Sequence, residues 1–170
     1  MRYNDDEMEA FGRDELAPVE MLNALFDARG WAHEQINDDE ITAEIKGSWS
    51  VYQMRIVWRE EDNALQIIIF PELKAPADKL QNIYTALGLI NEQLWIGHFD
   101  LWSSNHTILF RNGSLLPPNG MLSIEQAQTM IDVAIDEVER FYPVFQFIIW
   151  GGKSPEDALA AAMVDTQGEA

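Results

Sequence analysis

Three strand-like patterns follow one another with only short polar connections, and this feature limits the fold more than any other. Residues 41–46, 48–59 and 64–70 either alternate apolar and polar side chains or are rich in β-branched residues. Only Gly47 and the polar residues 60–63 separate them. Parallel neighbours need a crossover of about a dozen residues or more, so we predict that the three strands form an antiparallel meander.

Helical patterns lie on both sides of this meander. The first predicted helix covers about residues 18–30, and the second runs from about Pro76 to Trp95. Two short strands, 98–102 and 106–111, are predicted after the second helix.

The third predicted helix contains both the clearest start signal and a proline. Ser123 and Gln126 have the spacing of a capping box at its first turn. Pro143 removes one backbone donor, so we expect a kink or a break there. The aromatic residues around this position are expected to enter the core: Phe141, Tyr142, Phe145, Phe147 and Trp150. A short last helix is predicted with Ser154 as its cap.

The predicted order of elements is therefore α-βββ-α-ββ-α with a small C-terminal helix. Strands occur in runs instead of alternating singly with helices, which indicates an α+β fold with helices on an antiparallel sheet. We expect an acidic flexible tail at residues 1–15, a single domain at 16–164 and a frayed C-terminus at 165–170.

The charge balance restricts the partners of the chain. Its 170 residues carry a formal net charge of -18, from 11 basic and 29 acidic side chains. A negative body repels phosphate, so nucleic acid and anionic membranes are poor partners. The sequence has no cysteine, which excludes disulfides and cysteine nucleophiles. With no apolar signal region and no run long enough to span a membrane, we expect a cytoplasmic bacterial protein.

No motif in the sequence assigns a reaction. Residues 151–154 look like part of a phosphate-binding loop, but Phe147 stands where that loop needs glycine, so no nucleotide site is predicted. His98, Asp100 and His106 lie on or beside neighbouring predicted strands, yet no motif fixes their geometry as a metal site. We therefore predict no catalytic residue, no metal and no cofactor.

Apolar residues occur on both faces of the second strand, so the face opposite the core also needs a cover. Trp49, Val51 and Val57 lie on that face by alternation, and Trp102 is expected to join them. We predict that these four residues form a partner-binding surface, since clustered aromatic side chains are typical of binding hot spots. The C-terminal helix, 155–164, is the competing cover within the same chain.

Several motifs resemble those of one known family. They are Gly30-Trp31, Trp58-Arg59-Glu60-Glu61, the segment 88–99 with the sequence GLINEQLWIGHF, and the segment 141–154 with the sequence FYPVFQFIIWGGKS. Together they are similar to the YbjN-domain family of bacterial sensory transduction regulators over about residues 18–168. The fold of that family is similar to that of type III secretion chaperones, and the element order read from the sequence agrees with it.

The resemblance implies no catalytic residue, and it implies a segment of another protein as the partner. Secretion chaperones are commonly dimeric, so it also implies a homodimer whose contact lies on the second helix and the adjacent strand. Leu89 and Ile96 project away from the main stripe of that helix and are the expected dimer contacts. Two functions stay open: a non-enzymatic protein-interaction module, chaperone-like or regulatory, and a small enzyme or ligand-binding domain with an unrecognised site.

Overall fold

Helices lie against one face of a six-stranded antiparallel sheet in the computed structural model, which describes residues 15–167. In chain order the elements are β1 (Glu15–Leu16), α1 (Pro18–Arg29), β2 (His33–Asn37), β3 (Glu40–Lys46), β4 (Val51–Arg59), β5 (Ala64–Lys74), α2 (Leu80–Asn91), β6 (His98–Trp102), β7 (Thr107–Leu115), β8 (Leu122–Ser123), α3 (Ile124–Ile149) and α4 (Pro155–Gln167). The predicted α+β class is confirmed.

The predicted meander is present and has one strand more than expected. The strand order is β2-β3-β4-β5-β7-β6, and every neighbouring pair is antiparallel. Strands β1 and β8 form a separate two-stranded pair. The sequence reading misses β2 because its residues, HEQIN, are mostly polar and form an exposed edge, so they carry no apolar alternation.

The main core lies between the sheet and the helices. Tyr52, Met54 and Ile56 of β4 face it, while Phe141 and Phe145 of α3 pack from the other side, and all five side chains are fully buried. Helix α1 packs on β2 and β3, α2 on β6, and α3 on β5 and β7. Helix α4 packs on α3 and α2. The layer of helices therefore covers one face of the sheet.

Helix α3 runs continuously through Pro143, so the expected break does not occur. A proline removes one intrahelical hydrogen bond, but Pro143, Val144 and Phe145 are all buried. Burial of this apolar turn against the core favours continuation of the helix. Ser123 caps the first turn as predicted, because its Oγ accepts a hydrogen bond from the Gln126 N–H at 3.1 Å.

The aromatic residues around Pro143 divide between the core and the surface. Phe141, Tyr142 and Phe145 are buried, as predicted. Phe147 is only partly buried, and Trp150 is 67% exposed, so the burial prediction is wrong for Trp150. Trp150 follows the last residue of α3, where the helix has passed the end of the core.

Two further boundaries differ from the sequence reading. Strand β5 continues past Pro71 through a bulge, where Glu72 has a φ of 60°. Helix α2 ends at Asn91 and not at Trp95. The Asn91 side chain donates to the backbone O of Phe99 at 3.0 Å and accepts from its N–H at 2.8 Å. This double hydrogen bond ties the end of α2 to β6.

The ends of the chain are only partly described. Of the predicted tail, residues 1–14 lie outside the described residues, and Glu15 pairs with Ser123. Helix α4 continues to Gln167, and residues 168–170 lie outside the described residues. None of the helices within residues 15–167 combines the length and the apolar character needed to cross a bilayer.

Candidate functional site

The outer face of the sheet, which points away from the helices, is the candidate functional site. Within residues 15–167, helices α1, α2 and α3 pack on the opposite face. The expectation that the C-terminal helix competes for the outer face is wrong, because α4 packs on α3 and α2. Ala158 and Ala162 of α4 are buried in the main core.

An apolar cluster occupies the centre of the outer face. This outer cluster consists of Val57, Ile68, Phe70, Leu109 and Trp102. The rings of Phe70 and Trp102 meet edge to face with their centroids 5.3 Å apart, and both side chains are partly exposed. Ile68 and Leu109 are buried, although neither belongs to the main core. The outer face thus has a small apolar centre of its own.

Arginines flank the outer cluster. Strand register places Ile68 directly between Arg55 of β4 and Arg111 of β7. The Arg55 Nε donates to Glu40 Oε1 at 2.6 Å, and the Arg111 guanidinium lies 3.6 Å from the Asp100 carboxylate. Exposed ion pairs of this kind contribute little to stability. Each guanidinium has five N–H donors, so both arginines keep donors for a further acceptor.

Three of the four residues that the sequence predicts for a partner surface lie on the outer face. Val57 and Trp102 belong to the outer cluster, and Val51 is exposed at the start of β4. The sequence reading misses Ile68, Phe70 and Leu109. A usable signal is the run of four apolar residues that ends at Phe70, because consecutive apolar residues in a strand must occupy both faces.

Trp49 does not share the outer face, and this part of the prediction is wrong. It lies in the turn before β4 and stacks on Tyr142 of α3, with ring centroids 6.3 Å apart. Its Nε1–H donates to the backbone O of Glu139 at 3.1 Å. The alternation that predicts its position holds inside a strand but not in a turn, where the backbone changes direction.

Clear pKa shifts are found on the helix side of the sheet. Burial, followed by the neighbouring Glu139 carboxylate, raises the pKa of Tyr52 far above its usual value. Burial also raises the pKa of Tyr142 and of Glu137. The Ser48 N–H donates to Glu139 Oε1 at 2.8 Å, which ties the β3–β4 turn to α3. Both tyrosines are therefore neutral near pH 7. They lie beside the β3–β4 turn, which is held against α3.

The residues weighed for metal or nucleotide binding have other contacts. The Arg111 Nε donates to His98 Nε2 at 3.2 Å, and His98 lies 3.9 Å from the Asp100 carboxylate. Within residues 15–167, no three His, Cys, Asp or Glu side chains are grouped so that they could hold a metal ion. Ser154 Oγ accepts from the Asp157 N–H at 3.2 Å and so caps α4.

A surface depression of about 590 Å³ lies between α1, β3 and α3. Arg29 in this depression pairs with Asp132 at 2.7 Å, and its guanidinium lies 4.9 Å from the centroid of the Trp31 ring. A ligand site needs polar groups that converge on an open position. Here Arg29 and Asp132 satisfy each other, so the depression does not favour the alternative of an enzyme or a ligand-binding domain.

Apolar side chains also project where α2 meets β6. Among the strands of residues 15–167, β6 lies at the edge of the sheet and pairs only with β7. Of the predicted dimer contacts, Leu89 is partly buried on α2, and Ile96 is half exposed in the turn before β6. Trp95 beside it is fully exposed, and Tyr84 of α2 is half exposed. Exposed apolar residues next to an unpaired strand edge are typical of association surfaces.

Comparison with known proteins identifies a matching family. The model of the YbjN family, described as "Putative bacterial sensory transduction regulator", matches residues 18–147 of the chain. No curated protein has a sequence that matches this one.

Solved structures with a similar fold have low sequence identity to the chain. The crystal structure of YbjN from E. coli is 12% identical with a TM-score of 0.54, and the match covers 73% of this chain and 88% of that chain. A chain of the ExsC–ExsE complex is 14% identical with a TM-score of 0.54, and the match covers 74% and 91%. For the HopA1–SchA chaperone–effector complex the identity is 13%, the TM-score 0.48 and the coverage 72% and 89%. The similarity to E. coli YbjN and to ExsC shows a shared fold.

Proposed function

The chain belongs to the YbjN family, and from this premise we propose that it is a cytoplasmic, non-enzymatic protein-interaction module, chaperone-like or regulatory in role. The family description is regulatory, and ExsC, which has a similar fold, was solved in complex with the protein ExsE. The proposed partner is a segment of another protein. Nucleic acid and anionic membranes are poor partners because a net charge of -18 repels them.

The outer cluster is the observation that carries this proposal. Phe70 and Trp102 are partly exposed, and the helices of residues 15–167 pack elsewhere. Two aromatic rings held against each other on a sheet offer a partner a large apolar area that is already ordered, so little side-chain entropy is lost on binding. Val57 and Trp102 are the proposed partner contacts, and Val51 lies at the margin of the surface.

Affinity capture from the native bacterium, followed by mass spectrometry, tests this function with two matched baits beside the wild type. Trp102→Ala combined with Val57→Ala removes apolar area from the outer face. Trp150→Ala removes an exposed tryptophan at the end of α3. We expect at least one protein to bind the wild type and Trp150→Ala but not the double variant. If every captured protein also binds a folded double variant equally well, the outer face is not the site.

We also propose that the chain forms a homodimer through α2 and β6, with Leu89 and Ile96 among the contacts. Antiparallel pairing of β6 with the same strand of a second copy satisfies the free backbone groups of both edges. The same contact removes the exposed Trp95 and Ile96 from water. Such a dimer joins the sheets edge to edge, so the outer face, including Trp102 of β6, stays open to a partner.

A further inference from the structure

The outer face has a different charge from the chain as a whole. At its centre, the outward positions of β4, of β7 and of residues 64–70 include Arg55, Arg59 and Arg111 and no carboxylate. The flanking strands supply the outward carboxylates Glu40 and Asp100, which pair with Arg55 and Arg111. The whole chain, in contrast, has 29 acidic and 11 basic side chains. A negatively charged segment is therefore repelled less at the centre of this face than by the chain as a whole, and the arginines there keep N–H donors for its carboxylates.

Residues 1–14 of this chain have the complementary composition. Their sequence is MRYNDDEMEAFGRD, in which acidic residues outnumber basic residues. The same segment contains the large apolar residues Tyr3, Met8 and Phe11. Carboxylates suit the arginines of the outer face, and apolar side chains suit the outer cluster.

The point at which this segment joins the described residues lies at the end of the β4–β5 hairpin, where Leu16 packs against the main core. Glu15 pairs with Ser123 in β1–β8, and Ala17 lines a shared surface depression with Trp58 and Asn63, at the end of the β4–β5 hairpin. Fourteen extended residues reach roughly 46–50 Å, while six strands spaced about 4.8 Å apart span roughly 24 Å. The segment is long enough to cross the sheet.

Because the segment 1–14 is covalently linked to the outer face, even a weak contact is sufficient for binding within one chain. A segment joined to its site by a short flexible connection has an effective concentration in the millimolar range. A contact with a dissociation constant of that order, which is too weak to detect between separate molecules at micromolar concentration, is then populated within one chain.

We propose that the segment 1–14 binds the outer face of its own chain, with its carboxylates on Arg55 and Arg111 and its apolar side chains on the outer cluster. A partner protein at this face must then displace the segment. The inference does not depend on the proposed partner function, since it concerns the chain alone.

The absence of cysteine allows a test with one label on the full chain. Met8→Cys supplies a single thiol for a nitroxide spin label, and broadening of backbone amide NMR signals reports which surface the label approaches. We expect signals of Arg55, Ile68 and Arg111 to broaden several-fold more than those of exposed residues on α3. High salt is expected to reduce the broadening, because it screens exposed charges.

Two variants of equal net charge provide the control. Arg55→Gln with Arg111→Gln neutralises the outer face, and Lys79→Gln with Lys153→Gln neutralises two cations outside the sheet. We expect the broadening of Ile68 to disappear in the first variant and to persist in the second, both confirmed as folded by their amide spectra. Equal broadening of Ile68 in both variants, or none in the wild type, overturns the proposal.

A mixed sample identifies the source of the segment. Isotope-labelled chain without the spin label is combined with spin-labelled chain of natural isotope content. We expect no broadening in this mixture at micromolar concentration; broadening as strong as within one chain assigns the segment to a second copy and contradicts binding in cis. If the signal of Ile68 is not broadened but a partner protein is still captured through the outer face, only this inference is rejected. If the signal of Ile68 is broadened but no protein is captured through the outer face, only the proposed function is rejected.

Discussion

Gly47 is a position where the structure restricts the side chain directly. A Cβ there would overlap the Tyr52 ring and the Glu139 carboxylate, the two groups against which the β3–β4 turn is fixed. We expect Gly47→Ala to lower the free energy of unfolding by about 1–3 kcal/mol, the usual cost of overpacking. Gly113→Ala is the matched control, because no heavy atom lies within 4 Å of its added Cβ. Urea denaturation compares them, and equal stability of the two variants contradicts this account of the turn.

Glu137 is a second position where the environment works against the side chain. Its Oε2 is buried without a hydrogen-bond partner among the described residues, and burial raises its pKa, with Arg140 opposing the shift. Because folding raises the pKa of this acid, the folded state binds the proton more tightly. Folding is therefore less favourable once the pH rises through the folded pKa.

Glu137→Gln tests this linkage. We expect the variant to be more stable than the wild type near pH 7, and the difference to shrink as the pH falls towards the usual range for glutamate. Urea denaturation at several pH values measures it. Glu61→Gln, at an exposed position in the β4–β5 turn, is the control and should leave the stability nearly unchanged at every pH. If Glu137→Gln raises the stability by the same amount at every pH, the charge of Glu137 is not the cause.

At the scale of the element, burial decides what local sequence signals leave open. Helix α3 contains Pro143 and yet runs from Ile124 to Ile149, because the turn that holds the proline is buried on the core side. A sequence reading weighs the proline alone and predicts a kink or a break. The burial that overrides it depends on contacts with β5 and β7, which are distant in sequence.

The same helix gives a prediction on stability. Phe145, just past the proline, is fully buried, whereas Trp150, beyond the end of the helix, is 67% exposed. Truncation of a buried Phe costs about 3–5 kcal/mol, so Phe145→Ala is expected to lower the urea midpoint severely. Trp150→Ala is expected to change the free energy of unfolding by less than about 1 kcal/mol, as surface substitutions do. Equal midpoints for the two variants are incompatible with the burial described for α3.

The elements that the sequence predicts well are those with a periodic apolar pattern. Strands β3 and β4, with buried Ile41 and Ile56, have the expected bounds or nearly so, and Ser123 starts α3 as its cap predicts. Strand β2 is missed because it is a polar edge. Trp49 is misplaced because it lies in a turn. Only two of the five residues of the outer cluster are predicted, because β5, through Phe70, carries apolar residues on both faces.

At the scale of the whole molecule, charge and apolar surface are distributed unevenly. The acidic side chains of α3 lie in the helix layer. On the outer face, Arg55 and Arg111 flank the outer cluster and pair with Glu40 and Asp100. The edge at α2 and β6 presents Trp95 and Ile96, and this is a separate apolar surface. A chain with a net charge of -18 resists unspecific association, so contacts are favoured where apolar area is exposed and carboxylates are few.

The dimer is the prediction that belongs to this scale. A stable interface buries about 800 Å² on each subunit, and a fully exposed Trp95 with a half-exposed Ile96 beside the unpaired edge of β6 supply an apolar centre for it. We expect light scattering at micromolar concentration to give twice the chain mass of 19.4 kDa.

Ile96→Lys combined with Leu89→Lys places two charges in the contact and should shift the mass to that of one chain. Trp150→Lys, which changes an exposed apolar residue elsewhere, should leave the mass unchanged. A wild-type mass near 19.4 kDa at all concentrations removes the dimer, and a dimer that survives in the folded double variant places its contact on another surface.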